Sequence, residues 1–116
     1  MQTSKTVNII IPCYNEEEVL PWSMGKLQEM LVRLKEITGV DGKIVLVNDG
    51  SRDNTWQLIE QFANVHNNVV GIKLAHNEGH QGALWAGMQE SLGTCGAMIS
   101  IDADLQDDEN AIICLL

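Results

Sequence analysis

The chain has 116 residues and is 45% hydrophobic, enough for one domain with a buried core and too short for two. Sixteen acidic against seven basic residues give a net charge of −9, which argues against general affinity for nucleic acid or anionic lipid. Cys13, Cys95 and Cys114 are widely spaced with no CxxC pair, so neither a zinc site nor a disulfide framework is indicated and a reduced, cytosolic setting is expected.

The first element is VNIII (7–11), a largely β-branched, apolar run of the kind that forms a strand buried on both faces. From residue 16 to 37, Leu20, Leu27, Met30, Leu31, Leu34 and Ile37 recur at helical spacing, with Pro21 tolerable only in the first turn. Gly39 and Gly42 should end that helix. KIVLV (43–47) reads as a second buried strand, and a helix is expected over 55–63 with Asn54 and Gln57 spaced as a capping box. NVVGIKL (68–74) is a third strand. A third helix over 79–92 should bury Leu84, Met88 and Leu92, and GAMISI (96–101) is a fourth strand. Trp22, Trp56 and Trp85 all fall at helical positions, where packing is the plain expectation. The closing DDENAIICLL (107–116) reads as a helix start whose apolar residues run off the end, so the chain is expected to be a fragment. No run approaches the ~20 apolar residues of a membrane span, and the opening residues are too polar for a signal peptide.

Regular alternation of strand and helix predicts a largely parallel sheet with helices on both faces. Ligands of such sheets sit beyond the carboxyl ends of the strands. The polar clusters fall there: PCYNEEE after the first strand, NDGSRDN after the second, HNEGHQG after the third and DADLQDD after the fourth. Together they predict one site on one rim.

The fourth cluster is the most telling. Asp102 and Asp104 are two apart at a strand end, so their carboxylates can project from one side, with Gln106 two further on. That is a half-shell of oxygen ligands suited to Mg2+ or Mn2+, which complete their coordination with water and substrate phosphates. The plainer alternative is helix capping, which Asp107, Asp108 and Glu109 suit better. Asp49 either hydrogen-bonds a ribose or base or makes an Asp-Gly turn. Tyr14 and Glu16 could hold a nucleobase, whereas Cys13 between them has no activating partner and reads as a small buried residue. His76 and His80 are four apart, but Gly79 between them speaks against a helical zinc pair. Gly79 opening a helix, with its amides free, suits a phosphate, and His80 beside it could add positive charge. Neither GxGxxG nor GxxxxGK[ST] is present, which removes the dinucleotide-binding and P-loop readings.

The stretches VNIIIPCYNEEEVL, IVLVNDGSRDNT, HNEGHQGALWAG and ISIDADLQDD, in this order and spacing, resemble the amino-terminal half of a family 2 glycosyltransferase with the GT-A fold. Within that family the DADLQDD form resembles the polyprenyl-phosphate glycosyltransferases, such as dolichyl-phosphate mannose synthase and undecaprenyl-phosphate sugar transferases. The resemblance implies a Rossmann-like three-layer α/β sandwich, with residues 1–116 as its nucleotide-sugar-binding half. It implies that Pro12, Tyr14, Glu16 and Asp49 lie along the nucleotide of a UDP- or GDP-sugar, and that Gly79 and His80 lie near its phosphates. It further implies that Asp102, Asp104 and Gln106 hold Mg2+ or Mn2+ on the donor diphosphate, and that transfer inverts the sugar. A lipid-phosphate acceptor follows from the same branch, at the cytoplasmic face of the membrane and through membrane segments beyond residue 116. Asn48 stands where the family often has a second acid, and His76 and His80 where the lipid-phosphate branch often has Arg and Lys. If those histidines contact phosphate, donor binding should weaken as pH rises through the histidine range.

Two other classes share some of these features. A non-catalytic nucleotide-binding module of the same fold would use the same residues. A signalling receiver domain would need an acidic pair after the first strand and a late lysine, whereas the last lysine is Lys73.

Overall fold

A computed structural model of the chain describes residues 6–93, 96–105 and the backbone of 114–115. The apolar runs form strands β1 (Thr6–Cys13), β2 (Asp41–Asn48), β3 (Val69–Lys73) and β4 (Ala97–Ser100), joined by helices α1 (Leu20–Thr38), α2 (Thr55–Val65) and α3 (Gly79–Ser91). A short strand, β5 (Cys114–Leu115), closes one edge. The sheet order is β3-β2-β1-β4-β5, with the first four strands parallel and β5 antiparallel to β4. The helix expected at the end of the chain is therefore not what Cys114 and Leu115 form; they pair with Met98 and Ala97. The rest of that expected helix, including Asp107, Asp108 and Glu109, lies outside the described residues.

The order of strands dictates the layers. The chain steps outward from β1 to β2 to β3, then returns past β1 to β4. Right-handed crossovers place helices of opposite stepping direction on opposite faces. Accordingly, α1 and α2 pack on one face around Ile9, Ile11, Leu27, Ile44, Leu46 and Ile59. The other face carries α3 over Ile10, Val45, Val47 and Met98. Alternate residues of β1 and β2 thus serve alternate cores, which is why Ile9 to Ile11 and Ile44 to Val47 read as unbroken apolar runs.

Local signals account for most boundaries. Pro21 sits in the first turn of α1, where its missing N–H costs nothing. Gly39 ends that helix with φ 76°, its N–H donating to Lys35 O at 2.8 Å. Gly42 belongs instead to β2, beneath α1, where a Cβ would run into the Leu31 side chain. Ile37, expected on the buried face, is exposed in the last turn.

α3 departs from expectation in its packing. Its buried residues are Ala83, Gly87 and Ser91, while Leu84 and Met88 are half-buried and Leu92 is exposed. The seam is made of small residues because the helix lies close to the sheet: a Cβ on Gly87 would come within 2.5 Å of Ile10 Cγ2. At the far end, Asn8 Nδ2 donates to Ser91 Oγ at 2.9 Å, a buried polar link between β1 and α3. Trp56 packs against the first core, but Trp22 and Trp85 are exposed, contrary to the packing expected of them.

Candidate functional site

The strand order reverses between β1 and β4, and in open parallel sheets that switch point is where a crevice opens at the carboxyl ends. Ile101 N donates to Ile10 O at 3.2 Å, which carries the β1–β4 pairing up to the acidic turn. The loop after β1 and the Asp102–Asp104 turn therefore leave the sheet side by side.

A cleft of about 230 Å³ lies on this rim, lined by Pro12, Cys13, Tyr14, Glu16, Asp49, Asn77, Gly79 and His80. Six of the residues expected from the sequence, Pro12, Tyr14, Glu16, Asp49, Gly79 and His80, are thus brought together from three loops. Asp102 and Asp104 are not in its wall but stand next to it electrostatically. Burial raises the Glu16 carboxyl above the ordinary range, and the negative charges of Asp104, Asp53 and Asp102 raise it further against a hydrogen bond from the Tyr14 backbone. Gln106 lies outside the described residues.

The acidic turn is shaped by its apolar neighbours. Ile101 and Ala103 are buried and Leu105 is half-buried; between them Asp102 is half-buried and Asp104 exposed. Ser23 Oγ of α1 donates to Ala103 O, and Leu105 N donates to Asp102 O at 3.0 Å. Leu105 adopts φ 56°, a left-handed conformation uncommon for a non-glycine residue. Among the described residues no group of three or more His, Cys, Asp or Glu side chains is placed to hold an ion by itself. Two carboxylates with hard oxygen donors, neither of them fully buried, fit a cation that takes its remaining ligands from water and substrate, as Mg2+ or Mn2+ does. They do not fit an all-protein cage.

Asn15 fastens the loop after β1 to the loop after β2. It takes φ 54°; its N–H donates to Ser51 Oγ at 2.9 Å and its Oδ1 accepts from Arg52 N at 2.8 Å. Glu16 N donates to Thr55 Oγ1 at 2.8 Å. Asp53 does the work expected of Asn54: its Oδ1 accepts the Thr55 amide at 3.0 Å, and Asn54 makes no capping bond. Partial burial opposes ionisation of Asp53, but bonds from the Thr55 hydroxyl and amide and the Glu17 amide outweigh it and hold its carboxyl below the ordinary range. Periodicity gives no sign of the ties made by Asn15, Ser51 and Thr55; their Asx and Ser/Thr turn chemistry was the available signal.

Asp49 is buried, and its Oδ1 accepts the Glu78 amide at 2.6 Å. One carboxylate oxygen is thereby occupied in holding the next loop. The amide of Gly79, expected to be free for a phosphate, donates to Asn77 Oδ1 at 3.1 Å. His76 pairs with Glu78 at 2.9 Å and is not in the cleft wall, unlike His80. Cys13 is fully buried with its Sγ toward Ile11 O; burial, then the charge of Glu16, push its thiol far above the range of a nucleophile.

Residues 8–116 match the family described as Glycosyl transferase family 2. The chain is 43% identical over 113 residues to the uncharacterized glycosyltransferase YkoT of Bacillus subtilis (strain 168), a match spanning 96% of this chain and 34% of that protein. It is 36% identical over 107 residues to the undecaprenyl-phosphate 4-deoxy-4-formamido-L-arabinose transferase of Proteus mirabilis (strain HI4320), spanning 91% and 31%. The chain thus spans about a third of the length of these curated relatives. Its fold is similar to that of the mannosyltransferase PcManGT from Pyrobaculum calidifontis in complex with GDP-Man and Mn2+, with TM-score 0.71 and 20% identity over 88% of this chain and 28% of that one. It is also similar to S. aureus TarS 1-349 in complex with UDP-GlcNAc, with TM-score 0.66 and 20% identity over 85% and 26%. The likeness is one of fold, and the fold is the GT-A arrangement.

Proposed function

The chain belongs to glycosyltransferase family 2, and on that premise we propose that residues 1–116 form the nucleotide-sugar-binding half of a metal-dependent, inverting glycosyltransferase domain. The donor is a UDP- or GDP-sugar and the acceptor a polyprenyl phosphate at the cytoplasmic face of a membrane. The observation that carries this reading is the junction of the cleft with the acidic turn at the switch point of the sheet, where Glu16 feels both Asp104 and Asp102. The nucleotides named in complexes of proteins sharing the fold, and the undecaprenyl phosphate named for several relatives, support the donor and acceptor classes.

In this reading Pro12, Tyr14, Glu16 and Asp49 line the nucleotide, while Gly79 and His80 lie toward its phosphates. Asp102 and Asp104 would hold the divalent cation, with Gln106 a third oxygen donor. When bound, that cation supplies positive charge against the charge developing on the leaving nucleoside diphosphate. A phosphate acceptor is already largely ionised near neutral pH and needs little help from a general base, so no cleft residue is assigned that role. Among the described residues no helix is long and apolar enough to cross a membrane.

Calorimetric titration of UDP, GDP and their glucose and mannose conjugates, with and without Mn2+, tests the proposal on the full-length protein. One nucleotide should bind in a Mn2+-dependent manner, and Asp102→Ala and Asp104→Ala should each weaken it by roughly tenfold or more. Binding indifferent to Mn2+ and to both substitutions would sink the assignment of the acidic turn. No binding of any nucleotide by folded protein would sink the donor reading as a whole.

A further inference from the structure

Asn77 lies in the loop between β3 and α3, and its carboxamide is used at both ends. Its Nδ2 donates to the main-chain oxygen of Asp49 at 3.0 Å, and its Oδ1 accepts from Gly79 N at 3.1 Å. The Asp49 carbonyl can only accept and the Gly79 amide can only donate, so one orientation of the carboxamide satisfies both. Beside it, Glu78 N donates to Asp49 Oδ1 at 2.6 Å. The backbone also comes close: Gly50 has φ +69°, and a Cβ there would lie 2.6 Å from Asn77 N. The loop is thus drawn against the Asp49–Gly50 turn at three adjacent points.

Asn77 itself is exposed, so this bonding does little for the core. What it controls is local. Gly79 and His80, two and three residues on, form one wall of the cleft, with Asn77 at its edge. We propose that Asn77 is a positioning residue for donor binding: by bridging the Asp49 carbonyl and the Gly79 amide, it sets where Gly79 and His80 stand in the cleft. The proposal rests on the donor-binding reading above and adds to it a residue that acts through its neighbours rather than through charge. Glycine at position 79, with φ +86°, has little stiffness of its own, so losing the carboxamide, the tie that reaches Gly79 itself, loosens the loop at Gly79 and His80.

The test is a double-mutant cycle on the full-length protein, with UDP and GDP as probes at saturating Mn2+. Asn77→Ala should weaken the nucleotide that binds by about tenfold, and His80→Ala by roughly fivefold. The double variant should be barely weaker than Asn77→Ala alone, because a wrongly placed His80 has little left to lose. Hydrogen exchange should quicken at residues 78–80 in Asn77→Ala while the melting temperature stays near that of the parent. Parent protein that binds a nucleotide, with Asn77→Ala binding it equally well, overturns the positioning role alone. Additive losses in the cycle overturn it too, since they leave His80 correctly placed. Parent protein that binds neither nucleotide overturns the donor reading and the positioning role together.

Discussion

Glu16 lies in the loop after β1, in a field of like charge. Burial disfavours its ionised form first, and Asp104, Asp53 and Asp102 add repulsion, so its carboxyl is raised above the value it has in an unfolded chain. A raised carboxyl contributes stability that is fully present below the unfolded value and is lost as pH rises through the folded one. At neutral pH the carboxylate is therefore a liability to the fold. Glu16→Gln, melted in EDTA, should raise the melting temperature at pH 7 by roughly 2 °C, the effect of a few tenths of a kcal/mol in a domain of this size. The gain should vanish below the ordinary carboxylate range, where Glu16 is protonated. An equal gain at both ends of the scale would mean that packing, not charge, separates the two side chains. Asp53, two loops away in sequence but part of the same field, has the opposite sign: its bonds to Thr55 and Glu17 favour the anion. A single rim thus holds one carboxylate that the fold favours and one that it tolerates.

At the level of elements, α3 shows how close packing is achieved with few atoms. Gly87 faces Ile10 Cγ2 and Val47 Cγ2, at 2.5 and 3.2 Å from where its Cβ would stand, and both neighbours are buried, β-branched and stiff. Gly25, inside α1, is exposed with nothing within 4 Å of its Cβ position. Alanine has the better helix propensity at both places, by about 1 kcal/mol. Gly25→Ala should therefore stabilise by up to that amount. At Gly87 the same gain meets an overpacking cost of about 1–3 kcal/mol, so Gly87→Ala should be neutral to destabilising. Urea midpoints at constant slope measure both, and equal stabilisation by the two substitutions would refute the close approach of α3. The same contrast explains what could be seen in the sequence. β1 and β2 were legible because strands buried on both faces need apolar side chains toward each, as Ile9 to Ile11 and Ile44 to Val47 supply. The face of α3 was not, because Ala83, Gly87 and Ser91 carry no hydrophobic signature and Leu92 turns outward. The rim position of the cleft residues followed from their place after strands. The bonds that join the loops, Asn15 to Ser51 and Arg52, and Asn77 to Asp49, did not, since they depend on which strands become neighbours.

Across residues 1–116 the charge is −9, and the proposed ligand is itself an anion. Glu16 and Asp49 line the cleft, and Asp104, Asp53 and Asp102 act on Glu16 as further negative charge. Long-range electrostatics should then oppose the approach of a nucleoside diphosphate, and salt should relieve the opposition. Raising NaCl from ~10 mM to ~100 mM shortens the Debye length from about 30 Å to about 10 Å. The first exceeds the 25 Å shortest extent of the molecule and the second falls well inside it. At fixed free Mn2+, the association rate constant for the binding nucleotide in stopped-flow measurements on residues 1–116 should rise by roughly threefold over this interval. The dissociation rate, governed by contacts inside the cleft, should change much less. A rate that falls with salt would mean that a cation held by Asp102 and Asp104, together with His80 and Arg52, makes the local field at the cleft positive despite the net charge. Repeating the measurement with Asp102→Ala would separate those sources, since only the first depends on that carboxylate.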